Sequence, residues 1–333
     1  MRTVFRLLAV LAIATTALVI DAASVLHLPL RSGDDATLMV EPGTSASALV
    51  RQVADSGWLE AQPRSALYLQ VYARLTGLAT QLKAGEYAVP AGTSAAGLLQ
   101  LIADGRTILY ELRLVEGWTF RQALAAVHAH PQLRKTLETG DGAAVMAAIG
   151  REGVHPEGRL FPDTYRFSRD TTDVAFLRRA ADMMERTLAQ EWAQREEGLP
   201  YATPEEALTM ASIVEKETGV EHERNEVAGV FVRRLQLGMR LQTDPTVIYG
   251  LGEAFDGNLR RDHLRTDGDY NTYLRSGLPP SPICLPGRAS IRAALHPAPG
   301  KSLYFVSRGD GTHQFSETLE EHNAAVRKYQ LRR

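Results

Sequence analysis

Two acidic residues on one helical turn are the first sign of chemistry in this chain. In Ala211-Ser212-Ile213-Val214-Glu215-Lys216-Glu217-Thr218 they follow an apolar run that otherwise reads as core. A carboxyl held against apolar side chains has its charged form disfavoured. It therefore keeps its proton towards neutral pH and can serve as a general acid. At about 100° per residue, Lys216 points away from the apolar face of Ala207, Leu208, Met210, Ala211, Ile213 and Val214. Glu217 falls between the directions of Met210 and Ile213, next to Val214, while Glu215 falls between Leu208 and Ala211 on the other flank. Glu217 has the bulkier apolar neighbours and is the preferred acid. Glu215 takes a supporting role, such as pairing with an arginine. Positions i and i+2 diverge on a helix, so the two acids cannot easily face one another as the acid and base of a hydrolase.

The helix that carries them opens on a strong start signal. Thr203 is placed to cap it, Pro204 suits its first position, and Glu206 completes a capping box. Downstream the chain turns loop-rich, through Leu241-Gln242-Thr243-Asp244-Pro245-Thr246-Val247-Ile248-Tyr249-Gly250, Tyr270-Asn271-Thr272-Tyr273 and Gly277-Leu278-Pro279-Pro280-Ser281-Pro282-Ile283. Polar side chains on proline-bounded loops, interleaved with tyrosines, suit a carbohydrate groove. Tyrosine rings stack on sugar faces, and amides and hydroxyls bond to sugar hydroxyls and acetamides. The same residues could instead merely pack long loops.

Other chemistries find less support. Cys284 is the single cysteine; it sits in a proline-rich loop without a nearby histidine and reads as a bystander thiol. His296, His313 and His322 are scattered, with spacing that favours surface or hydrogen-bonding roles over metal ligation. No metal or cofactor is expected. With 37 Lys+Arg against 39 Asp+Glu, there is no basic footprint for nucleic acid.

The elements that must position these residues read as an α+β protein behind an anchor. Arg2 and Arg6 precede an uncharged run from Leu7 to Ile20, and apolar character resumes after Asp21. A single span from about Leu7 to Leu28 is preferred over a cleaved signal peptide, because Asp21 spoils the cleavage site near Ala23. The positive flank puts the body of the protein outside the cytoplasm. After a polar linker over residues 31–37, two weakly repeated units follow, each strand, Pro/Gly turn, Ser/Thr cap, helix and Gly stop. Their turns are Glu41-Pro42-Gly43-Thr44-Ser45 and Val89-Pro90-Ala91-Gly92-Thr93-Ser94. Between them a helix is predicted from Arg64 to Leu78, patterned by Leu67, Val71 and Leu75. A strand from Ile108 to Val115 leads on, with helices over Phe120–His128 and Asp173–Glu191. The expected organisation is a membrane segment over 1–30, a small α+β module over 36–110, and a larger α+β catalytic domain over 111–333.

The strings LVEGWTF, EGRLFPDTY, ASIVEKET, GMRLQTDPTVIYG, YNTY, GLPPSPI, HPAPGKSLYFV and TLEEHN occur in that order from Leu114 onward. Together they resemble the YceG-like endolytic murein transglycosylases. The resemblance implies a single-pass inner-membrane protein with a LysM-like module and a periplasmic catalytic domain. Such an enzyme cuts peptidoglycan glycan strands internally and leaves 1,6-anhydro-N-acetylmuramyl ends. It also implies association with penicillin-binding synthases and the termination of nascent strands. The family's catalytic acid, the second Glu of its motif, matches Glu217. One departure is Ser281, where the family commonly has Gly, which leaves the local loop conformation open. The expected substrate contacts are Gln242, Thr243, Asp244, Tyr249, Tyr270, Asn271 and Tyr273, with a turn-capping role for Asp244 before Pro245 equally open. The alternatives are a muramidase using a second carboxylate, Asp244 or Asp163, and a non-catalytic wall-binding scaffold.

Overall fold

A computed structural model describes residues 1–34, 36–59, 63–138 and 140–331. Asp35 of the expected linker, residues 60–62 of the small module, and residues 139, 332 and 333 of the expected catalytic domain lie outside the described residues. The chain forms two compact units, one of Met1–Tyr110 with Arg166–Asp170 and the other of Glu111–Tyr165 with Thr171–Arg333.

In the first unit, α1 (Arg2–His27) is a continuous apolar helix, long enough to cross a membrane and with a mean hydropathy of 2.2 over its most apolar window. The two repeated units form as their turn chemistry requires. Strand β1 (Ala36–Val40) leads through Gly43, at φ 81°, to Ser45, whose hydroxyl accepts from Ala48 N (3.2 Å) and starts α2 (Ala46–Asp55). Strand β2 (Gly85–Val89) leads through Gly92, also at φ 81°, to Ser94, which caps α4 (Ala95–Asp104). The strands pair antiparallel with Leu38 opposite Tyr87. Tyr87 is fully buried and donates to the Lys83 and Ile102 carbonyls, so its hydroxyl costs nothing unsatisfied. Helix α3 (Pro63–Leu75) ends one turn earlier than expected, and a 3-10 turn covers Leu78–Thr80. Segment 166–170 joins this unit because Arg169 donates to the Glu86 carboxylate (2.8 Å), which also accepts from Tyr110.

The second unit is built around α8 (Pro204–Glu217). Every residue from Ala207 to Val214 is buried, so this helix is a core element and not a half-solvated one. Helix α12 (Arg288–Leu295) packs most extensively on it, and α7 (Asp173–Ala193), α9 (Arg224–Gln236) and α10 (Asp244–Leu251) surround the rest. Burial all round forces its polar side chains to bond internally. Thr209 donates to the Glu205 carbonyl and Ser212 to the Thr209 carbonyl. A hairpin of β5 (Tyr304–Ser307) and β6 (His313–Ser316) and the terminal α13 (Leu319–Tyr329) complete the wall beside α9. Strands β3 (Leu109–Arg113) and β4 (Thr164–Ser168), each with residues in both units, make another two-stranded sheet. Helix α5 (Phe120–Ala129), which starts at the Thr119–Gln122 capping box, and the short α6 (Gly142–Ala148) and α11 (Arg261–Arg265) belong to the second unit.

Ser212 fixes α8 to the loop that follows Pro282: its oxygen accepts from Ile283 N (2.9 Å) in a fully buried position. Ser212→Ala leaves that N–H without a partner and should lower stability by about 1–3 kcal/mol. Denaturant unfolding measures this directly; an unchanged midpoint would show that the bond contributes nothing.

Candidate active site

The buried run of α8 ends at Val214, and the helix ends three residues later at Glu217, followed by the extended Thr218. The start of the helix is set by the Thr203 hydroxyl, which accepts from Glu206 N, while the Glu206 carboxylate reaches one residue further back, to Ala202 N, than a capping box requires. Fourteen helical residues then carry the Glu217 carboxyl into a cavity of about 430 Å³ lined by residues of α9, α10, β5, β6 and α13. Glu217 is half-buried, with its carboxyl enclosed by protein.

Thr243 holds this carboxyl. As the N-cap residue of α10 it would be expected to cap with its hydroxyl, yet that hydroxyl donates to Glu217 Oε1 instead. The cap position is steadied from elsewhere. Thr272 Oγ1 accepts from Thr243 N (3.1 Å), and the Thr246 hydroxyl bonds both the Thr243 carbonyl and Thr272 Oγ1. Gln242, just before, sits at φ 51°, a conformation that costs a non-glycine residue energy and is retained where surrounding structure imposes it. Its side chain is exposed and lines the cavity.

Burial pushes the Glu217 carboxyl up to about 7. The Thr243 bond opposes this, the Asp244 charge reinforces it, and the charges of His313 and Arg234 oppose it. The negative end of the α8 dipole acts in the same direction as burial. Asp244 lines the cavity and accepts from the Tyr273 hydroxyl (2.6 Å). Glu217, Gln242, Asp244 and Tyr273 therefore line one space, with the buried Thr243 bonded to Glu217. Such a space can present a proton donor to an oxygen between two sugar rings, with hydroxyl and amide partners beside it.

The other expected contacts lie elsewhere. Tyr249 faces a second cavity of about 590 Å³, where its hydroxyl donates to Glu157 Oε2 (3.1 Å) and its ring packs edge-on against Tyr270. Tyr270 bonds Ser281 Oγ (2.7 Å) and lines neither cavity. That bond gives the serine side chain a use in the loop. Asn271 is buried and donates to the carbonyls of His263, Leu264 and Thr266, so its amide pins its own loop. Glu215 accepts from Gly287 N (2.9 Å), a backbone partner where an arginine was expected. Asp163 is exposed and bonds Thr164 N, away from the Glu217 cavity. Cys284 is buried, its thiol pushed well up by burial, which suits a bystander.

Sequence reasoning missed four lining or supporting residues. Arg234 is buried in α9, with its guanidinium bonded to the carbonyls of Leu303 and Leu241 (2.7 Å each) and lying over the Tyr304 ring. His313 lines the Glu217 cavity, with Nδ1 2.8 Å from Glu223 Oε2 and its backbone N–H donating to Glu223 Oε1. Burial works against the Glu223 anion, but these bonds prevail and hold its carboxyl below the usual range. Glu157 is the fourth. It accepts from Phe120 N (2.8 Å) and Tyr249, and burial pushes it up to about 7. The available signals were an arginine within an apolar helical stripe and an acid inside an aromatic, proline-rich loop. Among the described residues, no cluster of His, Cys, Asp and Glu is placed to hold a metal ion.

Comparison with known proteins places this geometry among relatives. The YceG-like family matches residues 38–328. An endolytic murein transglycosylase of Bacillus subtilis (strain 168) is 31% identical over 308 residues, covering 87% of this chain and 83% of the relative. One from Streptococcus pneumoniae serotype 2 (strain D39 / NCTC 7466) is 27% identical over 291 residues, covering 75% of this chain and 51% of the relative, so this chain spans about half its length. A crystal structure of a YceG-like protein from Listeria monocytogenes matches with a TM-score of 0.55 and 30% identity, covering 86% of this chain and 97% of that one.

The raised carboxyls set the sign of a pH effect. Between about 4.5 and about 7 the native chain keeps protons on Glu157 and Glu217 that the unfolded chain has released. Stability should therefore fall as pH rises through that window. Glu217→Gln cannot release a proton and should flatten part of the slope, seen in thermal melts at several values from pH 4 to 8. A slope identical to wild type would mean that Glu217 titrates as an ordinary carboxyl.

Proposed function

The chain belongs to the YceG-like family, and on that premise we propose that it is an endolytic lytic transglycosylase of peptidoglycan whose working acid is Glu217. It cleaves the β-1,4 bond between N-acetylmuramyl and N-acetylglucosaminyl residues and leaves 1,6-anhydromuramyl ends. The observation that carries this reading is a carboxyl raised to about 7 at the head of a polar cavity, held by one hydroxyl.

A hydrolytic glycosidase needs two carboxyl groups, one as acid and one to activate water or attack the sugar. A transglycosylase draws its nucleophile from the substrate. Protonated Glu217 donates to the glycosidic oxygen as the bond from that oxygen to the muramyl anomeric carbon breaks. The muramyl C6 hydroxyl oxygen bonds to that carbon, and its proton passes to the Glu217 carboxylate. Glu217 ends protonated as it began, and no water is consumed. The substrate's 2-acetamido group shares the positive charge that develops at the anomeric carbon. Asp244 helps to keep Glu217 protonated between turnovers, and Thr243 steadies the carboxylate formed midway. Gln242 and Tyr273 are the cavity groups proposed to bond the sugar.

The remaining parts of the reading follow from the same resemblance. Helix α1 is proposed as a single-pass anchor in the inner membrane, with the second unit in the periplasm. The small unit is proposed as a LysM-like glycan-binding module. Peptidoglycan synthases of the penicillin-binding class are proposed partners in ending nascent strands.

Glu217→Gln should reduce strand cleavage by roughly 10²–10⁴-fold, the usual contribution of a general acid. Wild-type activity should decline as pH rises above about 7, where the donor loses its proton. Mass spectrometry of digested peptidoglycan should show anhydromuramyl ends. Reducing muramyl ends, one water heavier, would replace this reading with a hydrolase using Asp244; full activity in Glu217→Gln would remove Glu217 from its role.

A further inference from the structure

Helix α3 has two apolar faces where a surface helix needs one. Ser65, Leu69 and Ala73 are 3%, 1% and 0% exposed and face the core of the small unit. Leu67, Val71 and Leu75, each four residues on from the last, are 57%, 43% and 83% exposed. At about 100° per residue these three gather on an arc opposite the buried face, with Arg64, Arg74 and Tyr68 on the same arc. The helix sequence, PRSALYLQVYARL, has two arginines and no acidic residue.

Its neighbour shows what this face meets. The start of α3 grips α1 at Asp21: the Tyr68 hydroxyl donates to Asp21 Oδ2 (2.9 Å), and Arg64 Nε lies 3.3 Å from the same oxygen. Asp21 is the first charged residue of α1 after Arg6, so it marks where the apolar stretch ends. The side chains of α1 before it, Leu18, Val19 and Ile20 among them, are exposed. The exposed stripe of α3 thus begins beside the point where α1 would leave a bilayer. A leucine and valine row flanked by arginines and a tyrosine is the composition of a helix lying in the boundary between headgroups and acyl chains. With Arg64 held by Asp21, Arg74 is the cation that can bury its stem along the apolar layer and pair its head with an anionic lipid phosphate.

We propose that the Leu67–Val71–Leu75 face of α3 is seated in the membrane surface, docking the small unit onto the bilayer that α1 spans. This rests on the reading of α1 as a membrane anchor. The lipid it takes is an anionic glycerophospholipid leaflet. The device would hold the first unit against the membrane from which α1 emerges.

The full chain, reconstituted in vesicles of phosphatidylethanolamine and phosphatidylglycerol, tests this with nitroxide labels at Val71→Cys, Leu67→Cys and Leu75→Cys. Buried Cys284 leaves the wild type as a labelling blank. A label at Val10→Cys reports on α1 itself. The expected result is that collision with oxygen exceeds collision with a water-soluble nickel chelate at all four positions. Labels on α3 that favour nickel while Val10 favours oxygen would overturn the docking alone. Labels on α3 shielded from both reagents would assign the stripe to a protein partner or second copy and overturn it too. A nickel-accessible Val10 would sink the anchor reading and this inference together.

Discussion

A carboxyl group carried at the end of a helix whose middle is buried is the constraint on which the second unit turns. Eight consecutive residues of α8 are buried, so packing fixes where the helix delivers Glu217, and the Thr243 hydroxyl then holds its carboxyl. Burial removes the water that would stabilise its charge, and the helix end adds an unfavourable dipole. The mixed charges around it decide how far the shift goes. Asp244 pushes one way, and His313 and Arg234 push the other. The outcome is a group that can both give and take a proton near neutrality, as a reaction with an internal nucleophile demands.

Thr243 makes a choice that links α8 to α10. The Thr243 hydroxyl gives its proton to Glu217, and its oxygen accepts no N–H from the first turn of α10. The backbone N–H and carbonyl of Thr243 are held by Thr272 and Thr246, buried hydroxyls that also bond one another. The positive φ of Gln242 belongs to the same arrangement. Local order at α10 is given up for a contact between elements, the pattern expected where a site overrides local preference.

Glu157 makes an instructive contrast with Glu217. Both are raised to about 7 by burial. Glu157 also lines a cavity, of about 590 Å³, but each of its oxygens already accepts a bond, Oε1 from the Phe120 N–H and Oε2 from the Tyr249 hydroxyl, which suits a carboxyl that stays in place. Glu217 lines its cavity with a single hydroxyl, that of Thr243, donating to Oε1. A perturbed acid beside a cavity marks a candidate site more strongly when its oxygens are not both taken by the protein.

Much of this was written in local sequence. The Thr203 cap, the Ser45 and Ser94 caps, the glycine turns and the long apolar start are short-range signals, so helix and strand positions followed from them. The preference for Glu217 over Glu215 came from a helical wheel, since neighbours on one helix are fixed by its period. Long-range partners were not legible. That Glu215 would bond Gly287, that Asn271 would fold back on its own loop, and that Tyr249 would turn to Glu157 depend on loops meeting across the fold. Arg234 and His313 reach the cavity from α9 and β6, far from Glu217 in the chain. The Leu67–Val71–Leu75 row declared a helix by its spacing, but only packing revealed that the opposite face is the buried one. Sequence by itself determined the elements and singled out Glu217 as the proposed acid, because both rest on period and local bonding. Tertiary structure alone decided the environment of that acid, because burial and charge are properties of what surrounds a side chain.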